Sequence, residues 1–481
     1  MTAKPKHLHP AAIVVFLTQA VKEWWILLVL GIANRLWWWL LLAVCLELII
    51  EVIRYATFTY TFDEHELVIK RGLINKRQSH LTYPKIQTFQ TKQWFFMKPL
   101  GLVSLKIETS AQTNNRAEAN LPVISIAEVD QLEKLKQNAA SHVMTTEKTV
   151  DNDETASQGQ EKNKKQRYQI KWHDLNLYAL TSFSIVPILL GLSVVYNRLE
   201  EMLPDGFMDK IFESFGQRTN QVIFLDILVL LLLAILASYF FIVQRYYHFE
   251  ITTQGEQLTT QKGLFQTDRV TVRLNRIQSI VFVQSWLRQL LHLTTVQALV
   301  AANASDNEKS GDVVVIPVVQ NKASYDIAQH FIKWLAVGHD KPTEWLQASH
   351  RGKWAMIRNV GLPALVISVI ICILWWPYGL GSLVLLPLAW ALGSYAGHTT
   401  GVGILQQDML RIQIGHFFGK KTYYLPKKNV QSCQIKQSIF MRRTTLAHLM
   451  IRVRNGDVET VLEVRYLPLQ DAHKIYSWFT Q

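Results

Sequence analysis

Glu47 and Glu51 stand four residues apart inside an apolar run, with Arg54 three further on, and Asp226 lies inside another apolar run. An ionisable side chain within a hydrophobic span is costly and marks a functional position by default. The chemistry it suggests is proton or ion passage. Glu51 is equally well spaced to pair with Arg54 near a span end, which leaves Glu47 as the costly group, and both readings stand. A pathway needs more such groups facing one another, and the last two apolar runs hold no acidic residue.

The most regular polar residues are glutamines. Gln87 and Gln93 recur as Gln278 and Gln284, offset by 191 residues, and as Gln431 and Gln437, offset by a further 153. They read either as ligand contacts or as side chains that hydrogen-bond local strand or turn backbone. The basic residues are less evenly spread. Residues 401–455 carry ten Lys and Arg against one Asp. Lys420, Lys421, Lys427 and Lys428 flank the Tyr423-Tyr424 pair, and Arg442 and Arg443 follow Phe440-Met441. Basic residues beside apolar ones suit a surface resting on anionic headgroups; the plainer reading is a solvated face. No Gly-x-Ser-x-Gly or His-Glu-x-x-His occurs, and Gly415-His-Phe-Phe-Gly419-Lys420 is too short for a phosphate loop. Cys45, Cys372 and Cys433 lie too far apart for a disulfide or zinc framework. No cofactor, metal or catalytic residue is expected.

The elements that position these residues begin with apolar runs. Over 481 residues the chain is 49% hydrophobic and 18% charged, with net charge +13. The apolar excess is clustered, which points to membrane spans, and the positive charge then favours anionic lipid over nucleic acid. Six runs of roughly 14–33, 36–54, 177–197, 221–243, 358–376 and 378–397 approach the ~20 residues a bilayer requires. Trp24, Trp25, Trp37–Trp39, Trp375 and Trp376 sit near their ends, where amphipathic rings collect. The start is read as uncleaved, because no small-residue site precedes a polar domain. Acidic residues crowd the 200–213 loop, and Lys and Arg follow each pair of runs, so the segments after the pairs fall on the cytoplasmic side. Residues 139–170 read as a disordered linker by composition, and 337–353 as a shorter one.

The segments behind the pairs repeat. A basic strand turns at Gly72, and again at Gly263; Lys85-Ile86-Gln87 becomes Arg276-Ile277-Gln278 and then Asn429-Val430-Gln431, with Leu102/Leu105, Leu293/Val296 and Leu446/Leu449 behind. Self-similarity at fixed offsets marks copies of one supersecondary unit. Each copy reads as about seven strands and one terminal helix, with a late Pro122, Pro317 or Pro468 before the helix. Asn455-Gly456 has the composition of a hairpin turn.

This pattern resembles the bacterial PH-like membrane domain, the second bacterial PH family, in its long triple-domain membrane form. In the third copy Val430 replaces Ile, and Gly415 is one residue out of register. The resemblance implies an α+β membrane protein: six transmembrane helices in three pairs, each followed by a PH-like bent sheet capped by a C-terminal helix. The expected limits are 1–54, 171–245 and 354–399 for the pairs, and 55–138, 246–336 and 400–481 for the modules. It carries no catalytic residues. The expected role is a non-enzymatic scaffold or lipid-sensing protein of the bacterial inner membrane, acting in envelope homeostasis with its modules cytoplasmic. Its expected partners are anionic lipid and either a second copy or a smaller membrane protein with one PH-like domain. The alternative is a lipid-handling transport component. Separate basic patches favour the scaffold; a continuous groove favours transport.

Overall fold

Apolar side chains alternate along most strands of the chain, and that alternation decides which faces are buried. In a computed structural model, the described residues are 5–18, 37–73, 76–109, 119–135, 166–182, 220–301, 312–335, 342, 344–405, 408–416, 419–456 and 458–481. The acidic 200–213 loop, most of the first and third expected spans, most of the 139–170 linker, and the side chains of Gln87 and Asp226 lie outside them. The chain divides into two compact units, one holding 1–161, 171–249 and 261–270, the other 162–170, 250–260 and 271–481.

In the first unit, β1 (Lys6–His7), β2 (Thr59–Phe62), β3 (Glu66–Arg71) and β4 (Arg77–Thr82) form an antiparallel sheet in that order. Leu67 and Ile69 of β3 point inward, while Val68 and Lys70 point away. β5 (Ile86–Trp94), β6 (Leu102–Thr109) and β7 (Ala119–Ser125) pair antiparallel. The second repeat's first four strands are β8 (Gln166–Gln169), β9 (Glu250–Gln254), β10 (Gln257–Lys262) and β11 (Gln266–Arg273); β5 borders β11, whose residues 266–270 belong to this unit. Both groups of strands share one core, joined by Ala12, Val15 and Phe16 and by Val129 and Leu132 of the helix over 126–135. At about 1.5–3 kcal/mol for each fully buried Leu, Ile or Phe, such a core dominates the unit's stability.

In the second unit, β12 (Ile277–Ser285), β13 (Leu293–Val300) and β14 (Asp312–Gln320) come from the second repeat. β15 (Trp345–Gln347), β16 (Gly401–Leu405), β17 (Met409–His416) and β18 (Gly419–Pro426) belong with the third. They form one seven-stranded sheet, β14-β13-β12-β18-β17-β16-β15. β12 and β18 are antiparallel, with Ile280 opposite Tyr424 and Gln284 opposite Lys420. The Ser279 hydroxyl donates to the Tyr424 carbonyl at 3.0 Å, and Asn429 Nδ2 donates to the Gln278 carbonyl at 2.9 Å. β19 (Val430–Lys436), β20 (Leu446–Asn455) and β21 (Val458–Pro468) make a separate three-stranded sheet, beside the helix Leu469–Thr480. The reading of one bent sheet per module therefore needs revision. Each repeat contributes a four-strand and a three-strand group, and the fifth strand of one repeat borders the fourth of the next. A strand edge pairs with whatever backbone lies beside it, and here that backbone belongs to the neighbouring repeat.

The three copies nonetheless match in detail. A 3-10 turn precedes the fifth strand at Tyr83–Lys85, Leu274–Arg276 and Lys427–Asn429. The ladder then slips by one residue between Ile86 and Thr88, Ile277 and Ser279, and Val430 and Ser432. Gln87, Gln278 and Gln431 are the inserted residues, so all three occupy the same β-bulge, where a strand bends and twists.

Among the described residues, four long helices are apolar: α1 (Trp37–Thr57), α2 (Asn220–Tyr246), α3 (His350–Leu374) and α4 (Leu385–Thr399). Among the described residues, two segments are long and apolar enough to cross a bilayer. They are α3, at mean hydropathy 2.2, and Tyr378–Thr399, at 1.4, which is α4 with its leading 3-10 turn. α1 carries Glu47 and the Glu51–Arg54 pair, bonded at 3.2 Å with Glu51 buried. Trp375, Trp376 and Tyr378 stand exposed at the α3–α4 turn.

Candidate membrane-contact site

The glutamines lead to the site. Gln93 Nε2 donates to the Leu102 carbonyl at 3.0 Å, Gln284 Nε2 to that of Leu293 at 3.4 Å, and Gln437 Nε2 to that of Leu446 at 2.8 Å. Each bond spans nine residues and closes the base of the connection between the fifth and sixth strands. The residue before the sixth strand is left-handed in every copy: Gly101 (φ 61°), His292 (φ 55°) and Thr445 (φ 54°). That conformation is free for glycine and costs a side-chain-bearing residue on the order of 1 kcal/mol, so the surrounding bonds must hold it. An inward residue, Met97, Arg288 or Met441, anchors each connection.

What the closed connection presents is an apolar tip. Phe95 and Phe96, Trp286 and Leu287, and Ile439 and Phe440 occupy equivalent positions. Ile439 and Phe440 are each 79% exposed, Phe95 59% and Trp286 52%. Scattered exposed hydrophobes need no explanation, but the same apolar tip in three copies does.

Every tip lies beside an apolar helix. In the first unit, the Phe95 N–H donates to the Phe265 carbonyl at 2.7 Å, and the neighbouring Gly263 and Leu264 N–H groups reach Tyr247 and Gln244 at the end of α2. In the second unit, Tyr395 of α4 donates from its hydroxyl to Gln289 Oε1 at 2.9 Å, next to the Trp286 tip. Met441 packs with Ala348 and Met356 near the start of α3.

Beside the third tip runs a groove of about 1020 Å³. Trp354, Leu362, Leu365 and Leu386 of α3 and α4 line one side, and Phe440 and Met441 another. Arg351 and Arg358, in the first turns of α3, and Lys436 line it as well. Its carboxylate, Glu463, is engaged by Arg465 at 2.8 Å. The groove therefore grades from hydrocarbon to net positive charge.

The predicted basic residues separate into three places. Lys420 and Lys421 lie where β17 and β18 meet the end of α4, since the N–H of Gly415, opposite Lys420, donates to Thr400 Oγ1 at 3.1 Å. Arg442 and Arg443 are exposed in the tip helix Ile439–Arg443. Lys427 and Lys428 follow the other end of β18, where the Lys427 ammonium stands 5.2 Å from the Trp478 ring. Tyr423 and Tyr424 between them are buried, with the Tyr423 hydroxyl pushed up to about 12 by burial. Sequence reading singled out the third tip, as Phe440-Met441 before Arg442 and Arg443, but missed the other two, because an apolar pair between two strands looks like more strand. Their signal was the threefold recurrence at fixed offsets.

A family model for the bacterial PH domain matches residues 12–140, 210–331 and 356–481. The chain belongs to the bacterial PH domain family. The three matches fall on the three repeats, each beginning within or before the apolar helix that precedes its strands. The chain is also similar to the UPF0699 transmembrane protein YdbT of Bacillus subtilis (strain 168), at 25% identity over 515 residues, covering 100% of this chain and 99% of that protein. No solved structure matches significantly. Three bacterial PH domains and two bilayer-length apolar helices fit a membrane protein. Burial pushes the Cys433 thiol of the third bacterial PH domain up to about 11, so it is not a ready nucleophile. No cluster of metal-ligating side chains occurs among the described residues.

The groove wall carries a pH dependence. His448 Nδ1 accepts from the Tyr466 N–H at 3.2 Å, and burial holds its imidazole below the usual histidine range. Arg465 and Lys436 act in the same direction, against Glu463. His416 is lowered likewise, by burial, Lys421 and Arg465. The unfolded chain therefore binds these protons more readily than the folded one. The stability they contribute is full above the unfolded value of about 6.5 and is lost as pH falls through the folded values. Thermal melts of the full chain are expected to shift down from pH 7 to pH 5, and His448→Gln should flatten part of that slope. A slope of opposite sign would remove both histidines from the account.

Proposed function

We propose that this chain is a non-enzymatic scaffold of the bacterial inner membrane whose bacterial PH domains read the cytoplasmic lipid surface. In this reading six spans in three pairs return all three domains to the cytoplasmic face, and the protein acts in envelope homeostasis. Its partners are anionic lipid and a second copy or a smaller membrane protein with one PH-like domain. The observation that carries the reading is the glutamine-clamped apolar tip, present three times beside apolar helices. Burying a Phe or Ile side chain in hydrocarbon is worth about 1.5–3 kcal/mol. Lys420, Lys421, Arg442 and Arg443 could each add about 1 kcal/mol against anionic headgroups.

Lipid handling is the second reading, favoured by the groove beside α3, whose polarity follows that of a phospholipid.

The test is photocrosslinking of the full-length protein in native membranes. A benzophenone-bearing phenylalanine at position 440 should form lipid adducts. The same group at exposed Val458, the first residue of β21 opposite the far end of β20, should form several-fold fewer. Equal labelling at both positions, or none at 440, would remove the tip from the membrane. Protein adducts alone at 440 would make it a partner contact.

A further inference from the structure

The geometry points to a phosphate-binding recess in the first unit, at the end of α1. A cavity of about 250 Å³ opens there between Arg54, Arg71, Arg77 and Asn120, with Phe16 and Phe58 as its apolar wall. At ~30 Å³ per water it holds a phosphate with a small attached group and is far too small for a whole lipid.

Its charges are arranged against one another. Arg71 and Arg77 lie directly opposite in the β3–β4 ladder, at a turn where Gly72 takes φ 95°. Like charges facing across strands destabilise a hairpin. Both side chains are exposed, and neither has an ion-pair partner among the described residues. Arg54 is different: its guanidinium lies 4.9 Å from the Phe16 ring centre and bonds Glu51 Oε1 at 3.2 Å. Glu51 thus neutralises Arg54 and leaves two uncompensated guanidinium groups at the rim. Asn120 Oδ1 is buried without a hydrogen-bond partner. Guanidinium forks match phosphate oxygens bidentately, and a hydroxyl on the attached group would supply the donor Asn120 lacks. A glycerol-type phosphodiester has both features.

The pair is particular to this repeat. Asp268 stands at the place of Arg77 in the second repeat, where Gln266 donates to it at 2.6 Å, and in the third Ile414 stands at the place of Arg71, opposite Lys421. Charge surplus alone would not select one repeat. The recess lies at the last turn of an apolar helix, the depth at which lipid phosphates sit if α1 spans, so the proposal rests on the membrane reading for the source of its phosphate and on the recess for its chemistry.

The test uses the full chain in a phosphate-free maltoside detergent. Dihexanoyl phosphatidylglycerol, inorganic phosphate and uncharged dihexanoylglycerol are titrated separately and followed by native mass spectrometry. One saturable site for the phosphatidylglycerol is expected, weakened at least tenfold in the Arg71→Gln/Arg77→Gln double variant and less in Arg71→Lys/Arg77→Lys. Neither variant should melt below the parent, since the two side chains are exposed and the Gln pair removes their mutual repulsion. Inorganic phosphate that binds as tightly and competes identifies free phosphate as the ligand; phosphate that does neither identifies the headgroup. The proposal is overturned if only the uncharged probe binds, if nothing saturates, or if the Gln variant binds as the parent does. Arg442→Gln/Arg443→Gln should leave this site unchanged. If that variant alone loses binding, the recess fails while the tip reading stands.

Discussion

Replacing Val281 with aspartate is expected to unfold strands from two repeats together. Val281 is 2% exposed and packs in one core with Val402, Leu410, Tyr423 and Leu425 of the third repeat. Its strand, β12, is hydrogen-bonded on one side to β13 and on the other to β18. A carboxylate placed there has no cation in the cluster, and an unpaired charge in an apolar core falls among the few substitutions that cost more than about 4 kcal/mol. Hydrogen exchange on the full chain should show lost protection in β13, β17 and β18. Loss confined to residues 277–320 would sink the shared-sheet account. The same reasoning predicts that a fragment of residues 401–481 aggregates. It would lose β12 and expose the β18 edge with Tyr423 and Tyr424, and a bare strand edge beside apolar side chains pairs with other chains. Vesicle binding is therefore better measured on the intact protein.

Gly393→Leu is the second large effect, because it acts where two helices touch backbone to backbone. A Cβ at Gly393 would stand 2.6 Å from Ile357 Cα, 3.1 Å from Ile357 N and 3.2 Å from Met356 O. One at Gly397, on the same face of α4, would meet Lys353 at 3.2 Å. Residues four apart share a helix face, and small residues at that spacing let membrane helices approach closely. Backbone atoms cannot turn aside as a side chain can. Overpacking of this kind costs typically 1–3 kcal/mol, and leucine here belongs at the upper end. The α3–α4 hairpin should open, weakening the 2.6 Å bond from Asn359 Nδ2 to the Tyr466 hydroxyl beside the groove. Thermal melts in detergent should fall clearly for Gly393→Leu and less for Gly393→Ala. Gly361→Leu is the control, since a Cβ there has nothing within 4 Å. Equal melts for Gly393→Leu and Gly361→Leu would refute close packing as the basis.

The chain's sequence determined a good deal unaided. Threefold repetition, the strand and helix content of each copy, and the apolar helices follow from period, composition and fixed offsets, which are local properties. The glutamine bond is also local, nine residues from donor to acceptor, and its recurrence at Gln93, Gln284 and Gln437 was visible as spacing. Tertiary structure alone decided three other things. The partner of β12 is one, because backbone N–H and C=O groups are the same at every residue and carry no address. The nearly unbroken burial along β12, where Ile280, Val281 and Phe282 are all buried, was the available hint of strands on both sides. The separation of Lys420 and Lys421 from Lys427 and Lys428 is another. They are close in sequence, yet an eight-residue strand at ~3.3 Å per residue holds them at opposite ends. The third is the recess. Arg54 is distant in sequence from Arg71, Arg77 and Asn120, and only the packing of α1 against the first domain's strands brings them to one cavity, as folding gathers charges by geometry rather than by sequence distance.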